Sequence, residues 1–477
     1  MNYRKVWQSL GLVLLVEAGL CLLPMLVCWY YKNDVMPFLY TFLIMAGVGT
    51  ALSLIRPKSN HFYAREGFCI VSLAWVAMSL LGCLPFIFSR TIPSFVDAFF
   101  ETASGFSTTG ASILETVEWM PKSILFWRSF THWIGGMGVI VFLMALLPMS
   151  NDRSMHVMRA EMPGPVVGKV VPRARDSAVW MYGIYSGLTV LEMIFLFAGG
   201  MPLFDSVVNA LATAGTGGFS VLNAGIGGYN SNYAFIVITV FMMLFGVNFN
   251  VYFLLLMRKF KGAFKSEELW IYAGMYLLSV GLISVNIMGM YTSYGESVRD
   301  SAFHVAAVMT TTGFGITDTN AWPTFSKCIL LFLMVIGACG GSTGGGMKIA
   351  RMIILGKRLK RDLKRMLHPR TVQPLKLEWK KLDDETVDGV SGFFIMYALI
   401  VIAVTMLISL DGHSFETNFS ATISCISNIG PGFGEVAQNF CCYSPLCKLL
   451  LSFVMLLGRL EIFPMLFFFM PATYRRK

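Results

Sequence analysis

Apolar residues along this chain fall in long runs, and charged residues gather in the short gaps between them. Val6–Tyr31 is interrupted by one charge, Glu17, while Val35–Ile55, Gly67–Ser89, Gly389–Leu410 and the 52-residue stretch Ser206–Met257 carry none. About 20 apolar residues let a helix cross a bilayer, so these runs predict spanning helices. The first run follows Arg4 and Lys5, yet it is longer than a signal-peptide core and has no small-residue cleavage site. It reads as a retained first helix.

Within the runs one unit recurs four times: an apolar helix, a short amphipathic segment opened by an acid, a Gly-rich polar turn, and a second apolar helix. The turns are Phe-Ser-Thr-Thr-Gly-Ala-Ser (106–112), Gly-Thr-Gly-Gly-Phe-Ser (215–220), Thr-Thr-Thr-Gly-Phe-Gly (310–315) and Ser-Asn-Ile-Gly-Pro-Gly-Phe-Gly (427–434). Aligned on Gly110, Gly217, Gly313 and Gly430, the units lie 107, 96 and 117 residues apart. The opening acids Asp97, Asp205, Asp300 and Glu416 precede those glycines by 13, 12, 13 and 14 residues.

A helix of about 12 residues descends roughly 18 Å and five extended residues return roughly 16 Å, so each unit reaches mid-bilayer and comes back. Non-helical backbone at that depth is tolerated only where protein or a water-filled cavity surrounds it. Four such turns in one chain can encircle one axis, which makes the cavity a pore. The acids read first as helix caps that complement the macrodipole, not as ligands. The turns themselves offer Thr, Ser and Asn oxygens and carbonyls that glycine can aim inward. Neutral oxygens suit a weakly hydrated monovalent cation, whereas divalent ions want carboxylates; potassium is the first candidate.

Composition agrees with a membrane protein: 56% of the 477 residues are hydrophobic and 13% charged, against roughly 25% charged in soluble domains. The net charge of +10 raises the question of nucleic acid. Its distribution answers it, because counting from a cytoplasmic N-terminus 29 of the 37 Lys and Arg fall in alternate, inner segments, as the positive-inside rule requires. No nucleic-acid partner is expected, and both termini are expected in the cytoplasm. Seven of the ten cysteines lie in or beside apolar segments. Cys441, Cys442 and Cys447 instead cluster on a loop read as external, where a disulfide is permitted but its pairing is open. With no His-Glu-x-x-His and no cluster among the six histidines, a membrane-embedded metalloenzyme is excluded.

Two further features stand out. Gly340, Gly341, Ser342, Thr343, Gly344, Gly345 and Gly346 form a run that no helix passes through intact. It lacks the Gly-Lys-Ser/Thr ending and preceding strand of a phosphate loop, and it follows the apolar run Cys328–Ala338, so it breaks the second helix of the third unit near mid-membrane. Arg459 and Arg128 lie inside apolar segments. A central arginine costs about 2.5–3.5 kcal/mol on insertion scales and so faces water or a partner; Glu461, two residues from Arg459, points away from it on a helix. Arg128, close to the outer end of its helix, reads as a snorkelling side chain.

At the four turns, at Phe-Trp-Arg-Ser-Phe-Thr-His-Trp-Ile-Gly-Gly-Met-Gly (126–138), at Gly-Gly-Ser-Thr-Gly-Gly-Gly-Met-Lys (340–348) and at Gly-Arg-Leu-Glu-Ile (458–462), the chain resembles the membrane subunits of Trk/Ktr-type potassium uptake systems. The likeness covers nearly the whole length, and the two extra N-terminal helices make it look like the TrkH/TrkG branch. The resemblance implies a potassium filter at Thr108, Thr109, Gly110 and Ala111, Thr216, Gly217, Gly218 and Phe219, Thr311, Thr312, Gly313 and Phe314, and Asn428, Ile429, Gly430 and Pro431. It implies that Gly340–Gly346 is an intramembrane gating loop. For Arg459 two readings stay open: a pore-facing barrier near that loop, as the family implies, or an ion pair with another helix. The resemblance also implies a homodimer and a cytosolic nucleotide-binding regulatory subunit, TrkA-like, for which Lys348–Lys381 offers a basic docking face; a lipid-facing role for that face stays open.

The expectation is therefore an all-α polytopic membrane protein of two N-terminal helices (1–66) and four membrane-pore-membrane repeats arranged with pseudo-fourfold symmetry around one pore. The repeats span 67–176, 177–267, 268–388 and 389–477, and the gating loop covers 339–347. It takes up potassium across a bacterial cytoplasmic membrane, with no covalent cofactor and K⁺ as the transported ion. A less selective Na⁺/K⁺ symporter and an alternating-access solute transporter are the alternatives, although repeats of one orientation speak against the second.

Overall fold

The structure, a computed structural model, describes residues 1–56, 64–138, 174–369, 373–378 and 380–471. Most of the basic segments 56–65 and 153–175, and the C-terminal 475–477, lie outside the described residues. Six described helices are long and apolar enough to cross a membrane: Tyr3–Tyr31, Met36–Ser53, Arg65–Phe88, Ala178–Ala198, Glu267–Met290 and Asp384–Asp411. The first two form an N-terminal hairpin whose backbones touch at Gly11, where a Cβ would run into Gly49 O and Ser53 N. Small residues allow such close approach where no hydrophobic effect drives helices together.

The other four open the repeats, and each leads into a short helix that stops at a Gly-rich turn. These pore helices are Phe95–Phe106, Leu203–Gly215, Tyr294–Met309 and Phe415–Ser427. Ser94 and Ser414 cap two of them by accepting from the amides of Asp97 and Thr417, which satisfies donors the first turn leaves open. Asp97, Asp205 and Glu416 lie in the first turn as expected. Asp300 does not: its helix starts six residues earlier, after Ser293, so Asp300 lies in the second turn, buried. An N-terminal acid was expected there because the charge pattern marks the amphipathic segment, not the point where capping begins.

The helices that follow the turns, here called inner helices 1 to 4, are Lys122–Met137, Asn232–Phe245, Thr324–Ile336 and Pro445–Arg459. Each halts partway. In repeat 2 the chain bends by 90° into Phe249–Leu256; in repeat 3 it passes through 337–348 before the basic helix Ile349–Leu367; in repeat 4 it turns at Leu460–Ile462 into Phe463–Phe469. Sequence alone marked only the third break. Lacking a Cβ, Gly135 and Gly458 near the ends of inner helices 1 and 4 press against Phe106 O and Ile426 O, carbonyls at the ends of pore helices 1 and 4.

Arg128 does not snorkel. It is 3% exposed, and its guanidinium meets Glu101 of pore helix 1 at 2.7 Å, with Glu101 fully enclosed. Glu101 also accepts from Ile113 N and Ser112 Oγ at 3.0 Å each, while Arg128 lies 4.1 Å over the Phe219 ring of the next repeat. The pair thus fastens inner helix 1 to its pore helix and to the second turn. Breaking one partner of a buried pair leaves an uncompensated charge, at about 3–5 kcal/mol. Arg128→Met is therefore expected to lower unfolding stability in detergent by that amount, and Arg128→Met with Glu101→Gln to recover most of it; a single variant as stable as the parent would show that the pair is not structural.

Candidate functional site

The four turns repeat one backbone conformation. Pore helices end on a residue in the left-handed region, Thr108 (φ 57°), Thr216 (56°), Thr311 (58°) and Asn428 (56°), and two residues later comes a glycine at positive φ, Gly110 (78°), Gly218 (79°), Gly313 (76°) and Gly430 (105°). A β-branched residue in that region is strained, at about 1–3 kcal/mol each. The strain is held by a hydrogen bond that recurs four times: Thr109 N to Ser104 O, Gly217 N to Ala212 O, Thr312 N to Ala307 O and Ile429 N to Ser424 O, 2.8–3.0 Å. Such bonds close helix C-termini. Because the amide points back into the helix, the carbonyls are left for something else.

These angles correct the register of repeat 2. Gly218, not Gly217, is the counterpart of Gly110, Gly313 and Gly430, so the spacings become 108, 95 and 117 residues, and Asp205 precedes its glycine by 13, as Asp97 and Asp300 do. The glycines close a ring. A Cβ on Gly110 would strike Gly217 O, one on Gly218 would strike Thr312 O, one on Gly313 Ile429 O, and one on Gly430 Thr109 O, all nearer than 3.0 Å. Each repeat abuts the next and the fourth returns to the first. The four residues after the glycines differ: Ala111, Phe219 and Phe314 are buried, and the Pro431 ring packs against Gly313.

Side chains behind the ring brace each turn, and Asn428 joins the fourth to the first. Asn428 donates to Thr109 Oγ1 (2.9 Å) and Met455 O (2.8 Å), Ser107 pairs with Thr109 and Thr310 with Thr312. His132 Nδ1 meets Gly105 O at 2.9 Å, its ring fills the space beside Gly217, and its backbone carbonyl presses on Gly215. On one side the glycines floor a cavity of about 410 Å³, also lined by Glu115, Arg128, Asp318 and Asn439. The pore helices all end at this ring, so the negative ends of their dipoles face it.

The Gly-rich segment lies on the other side, directly against turns 3 and 4. Gly345 N donates to Thr311 Oγ1 at 2.6 Å; Gly344 faces Thr310 O, and Gly345 faces Ser427 O and the Asn428 side chain. Cys339, Gly341 and Thr343 bond into repeat 2: Phe249 N donates to Gly341 O, Cys339 N to Gly246 O and Thr343 Oγ1 to Phe245 O, while Ser342 Oγ donates back to Cys339 O. Glu268 holds both ends of the segment, accepting from Gly340 N at 2.6 Å and Ala350 N at 3.1 Å. Lys348, counted from sequence among the cytosolic charges, is instead 1% exposed and donates to Gly344 O. Gly346 lies at positive φ against Gly337.

Arg459 donates to Thr343 O (2.8 Å) and to Gly135 O and Gly136 O (2.5 and 2.6 Å). It therefore joins repeat 4 to the Gly-rich segment and to the end of inner helix 1. Glu461 pairs with Arg351. Glu101, His132, Glu268 and Arg351 were not singled out from sequence, since each has a decisive partner 27 or more positions away.

A closed ring of neutral re-entrant turns inside interrupted helices defines a membrane cation-transport protein. The model of the TrkH family, described as a cation transport protein, matches residues 35–272 and 275–474, and the chain belongs to that family. It is 36% identical over the full length of both chains to the Trk system potassium uptake protein TrkH of Salmonella typhimurium. It is 32% identical to TrkG of Escherichia coli over 99% of both. The crystal structure of the potassium transporter TrkH from Vibrio parahaemolyticus superimposes with a TM-score of 0.89 at 32% identity, covering all of both chains.

Two outcomes follow. Gly218→Ala is expected to abolish assembly of a monodisperse protein, because it meets backbone at positive φ, and no side-chain change will rescue it. Gly217→Ala collides with the His132 ring, so His132→Ala should restore it in part; tolerance of Gly218→Ala would return the register to Gly217. Glu268→Ala leaves two buried amides unpaired, about 1–3 kcal/mol each. It should speed alkylation of buried Cys339 about tenfold or more, and an unchanged rate would remove Glu268 as the clasp.

Proposed function

We propose that this chain takes up potassium across a bacterial cytoplasmic membrane, with both termini inside. The observation that carries the reading is the ring, in which Gly110, Gly218, Gly313 and Gly430 each abut the carbonyl before the next repeat's glycine. Carbonyl and hydroxyl oxygens without a carboxylate ring replace the shell of a weakly hydrated cation, and four helix C-termini add favourable potential. The names of the relatives support the same ion. Thr108, Thr109, Gly110, Ala111 and their counterparts act as the filter, with Asn428 and Ile429 giving the fourth turn different chemistry from the third.

Gly340–Gly346 acts as the gate, and Arg459 as its latch: it is a positive charge next to the ion path and also binds Thr343 O. The protein works as a homodimer with a cytosolic nucleotide-binding regulatory subunit. The helix Ile349–Leu367, which carries Lys360 and Lys364 beside exposed Leu359, Leu363 and Met366, is the docking face for that subunit.

Liposomes holding the purified protein should take up Rb⁺, and Arg459→Ala should lower melting through the carbonyls it leaves unpaired yet raise the uptake per folded molecule several-fold, since a unit charge at about 6 Å is worth roughly 3 kcal/mol at an effective dielectric near 20 before water screens it. Clear flux of an organic solute without Rb⁺ flux would sink the potassium reading. Poor folding of the Arg459 variant with no gain in flux per molecule would assign the arginine to structure alone.

A further inference from the structure

The cysteine-rich loop beyond the fourth turn holds a group that ion conduction leaves unexplained. His413, just before pore helix 4, Glu435, in the short helix after the fourth turn, and Cys442, on the loop entering inner helix 4, bring an imidazole nitrogen, a carboxylate oxygen and a thiol within 4.8 Å of one another. They come from three separate segments. His413 Nδ1 lies 2.7 Å from Glu435 Oε2, while its Nε2 lies 3.3 Å from the carbonyl of Cys442. A carbonyl only accepts, so Nε2 carries a hydrogen, and Nδ1 faces the carboxylate. A ring nitrogen and a carboxylate oxygen at that distance share a cation, either a proton or a metal ion.

We propose that His413, Glu435 and Cys442 form a binding site for a zinc-like transition-metal ion. Imidazole, carboxylate and thiolate are the donor types such an ion takes, at about 2.0–2.3 Å, with water free to complete a tetrahedron. Calcium and magnesium want oxygen alone. The bond from Nε2 to a backbone carbonyl is the outer contact that fixes a metal-binding histidine's tautomer and orientation. Glu435 and Cys442 are exposed side chains, so a small turn of each brings the donors to ligating distance. Cys441 does not compete for the ion in this geometry, since its thiol is directed to Ile113 O. The bound ion clamps the segments on either side of the fourth turn, which Asn418 already links through His413 O and the Tyr443 hydroxyl.

The test uses the full chain in detergent, reduced, stripped with chelator, and alkylated with a maleimide whose attachment to Cys442 is read by peptide mass. Zinc chloride at ten times its dissociation constant should slow Cys442 alkylation about tenfold by mass action. Magnesium chloride should have no effect. His413→Ala and Glu435→Ala, with melting unchanged in chelator, should lose most of the protection. Two results would overturn the site: no protection by zinc, or equal protection in the His413 variant.

Discussion

Backbone pressed on backbone is the constraint from which the rest of the molecule follows. Where Gly110 meets Gly217 O, and the three equivalent contacts follow around the ring, there is no space for any side chain and no conformation an L-residue adopts at ease. Four helices must therefore stop at one depth, and each needs something to end it. The repeated bond from the second turn residue to the carbonyl five positions back ends them. It spends the amides on the helix and leaves the oxygens on the axis.

Buried charge serves this geometry from behind. Arg128 with Glu101 braces the first turn against the second. Glu268, Lys348 and Arg459 act on the Gly-rich segment at its ends, its middle and its contact with repeat 1. Each of these groups binds backbone atoms as well as, or instead of, an opposite charge, which is how irregular chain remains satisfied at membrane depth.

The four-unit plan was legible because recurrence is visible in one dimension: an acid, about 13 residues, and a glycine between apolar runs. The register of the second turn was not, because Gly217 and Gly218 are adjacent and only dihedral angles distinguish the one that needs positive φ. Arg128 looked like a snorkelling side chain because Glu101 lies 27 positions away on another helix. Glu268 drew no notice in the sequence, since its two amide partners lie 72 and 82 positions on. The breaks in inner helices 2 and 4 carry no glycine run like that of repeat 3; apolar continuity hid the first, and at the second Arg459 and Glu461 read as charges on an unbroken helix.

The bend in inner helix 2 has a consequence for solvent. It frees Gly246 O and Phe249 N at a depth where hydrocarbon offers nothing to bond, and Cys339 N and Gly341 O of the Gly-rich segment take them up. Bend and segment thus hydrate each other in place of water. In the proposed gating, the segment cannot leave without exposing these groups, so opening has to admit water molecules to replace it. The shut and open states then differ in bound water, and osmolytes excluded from the cavity favour the shut one.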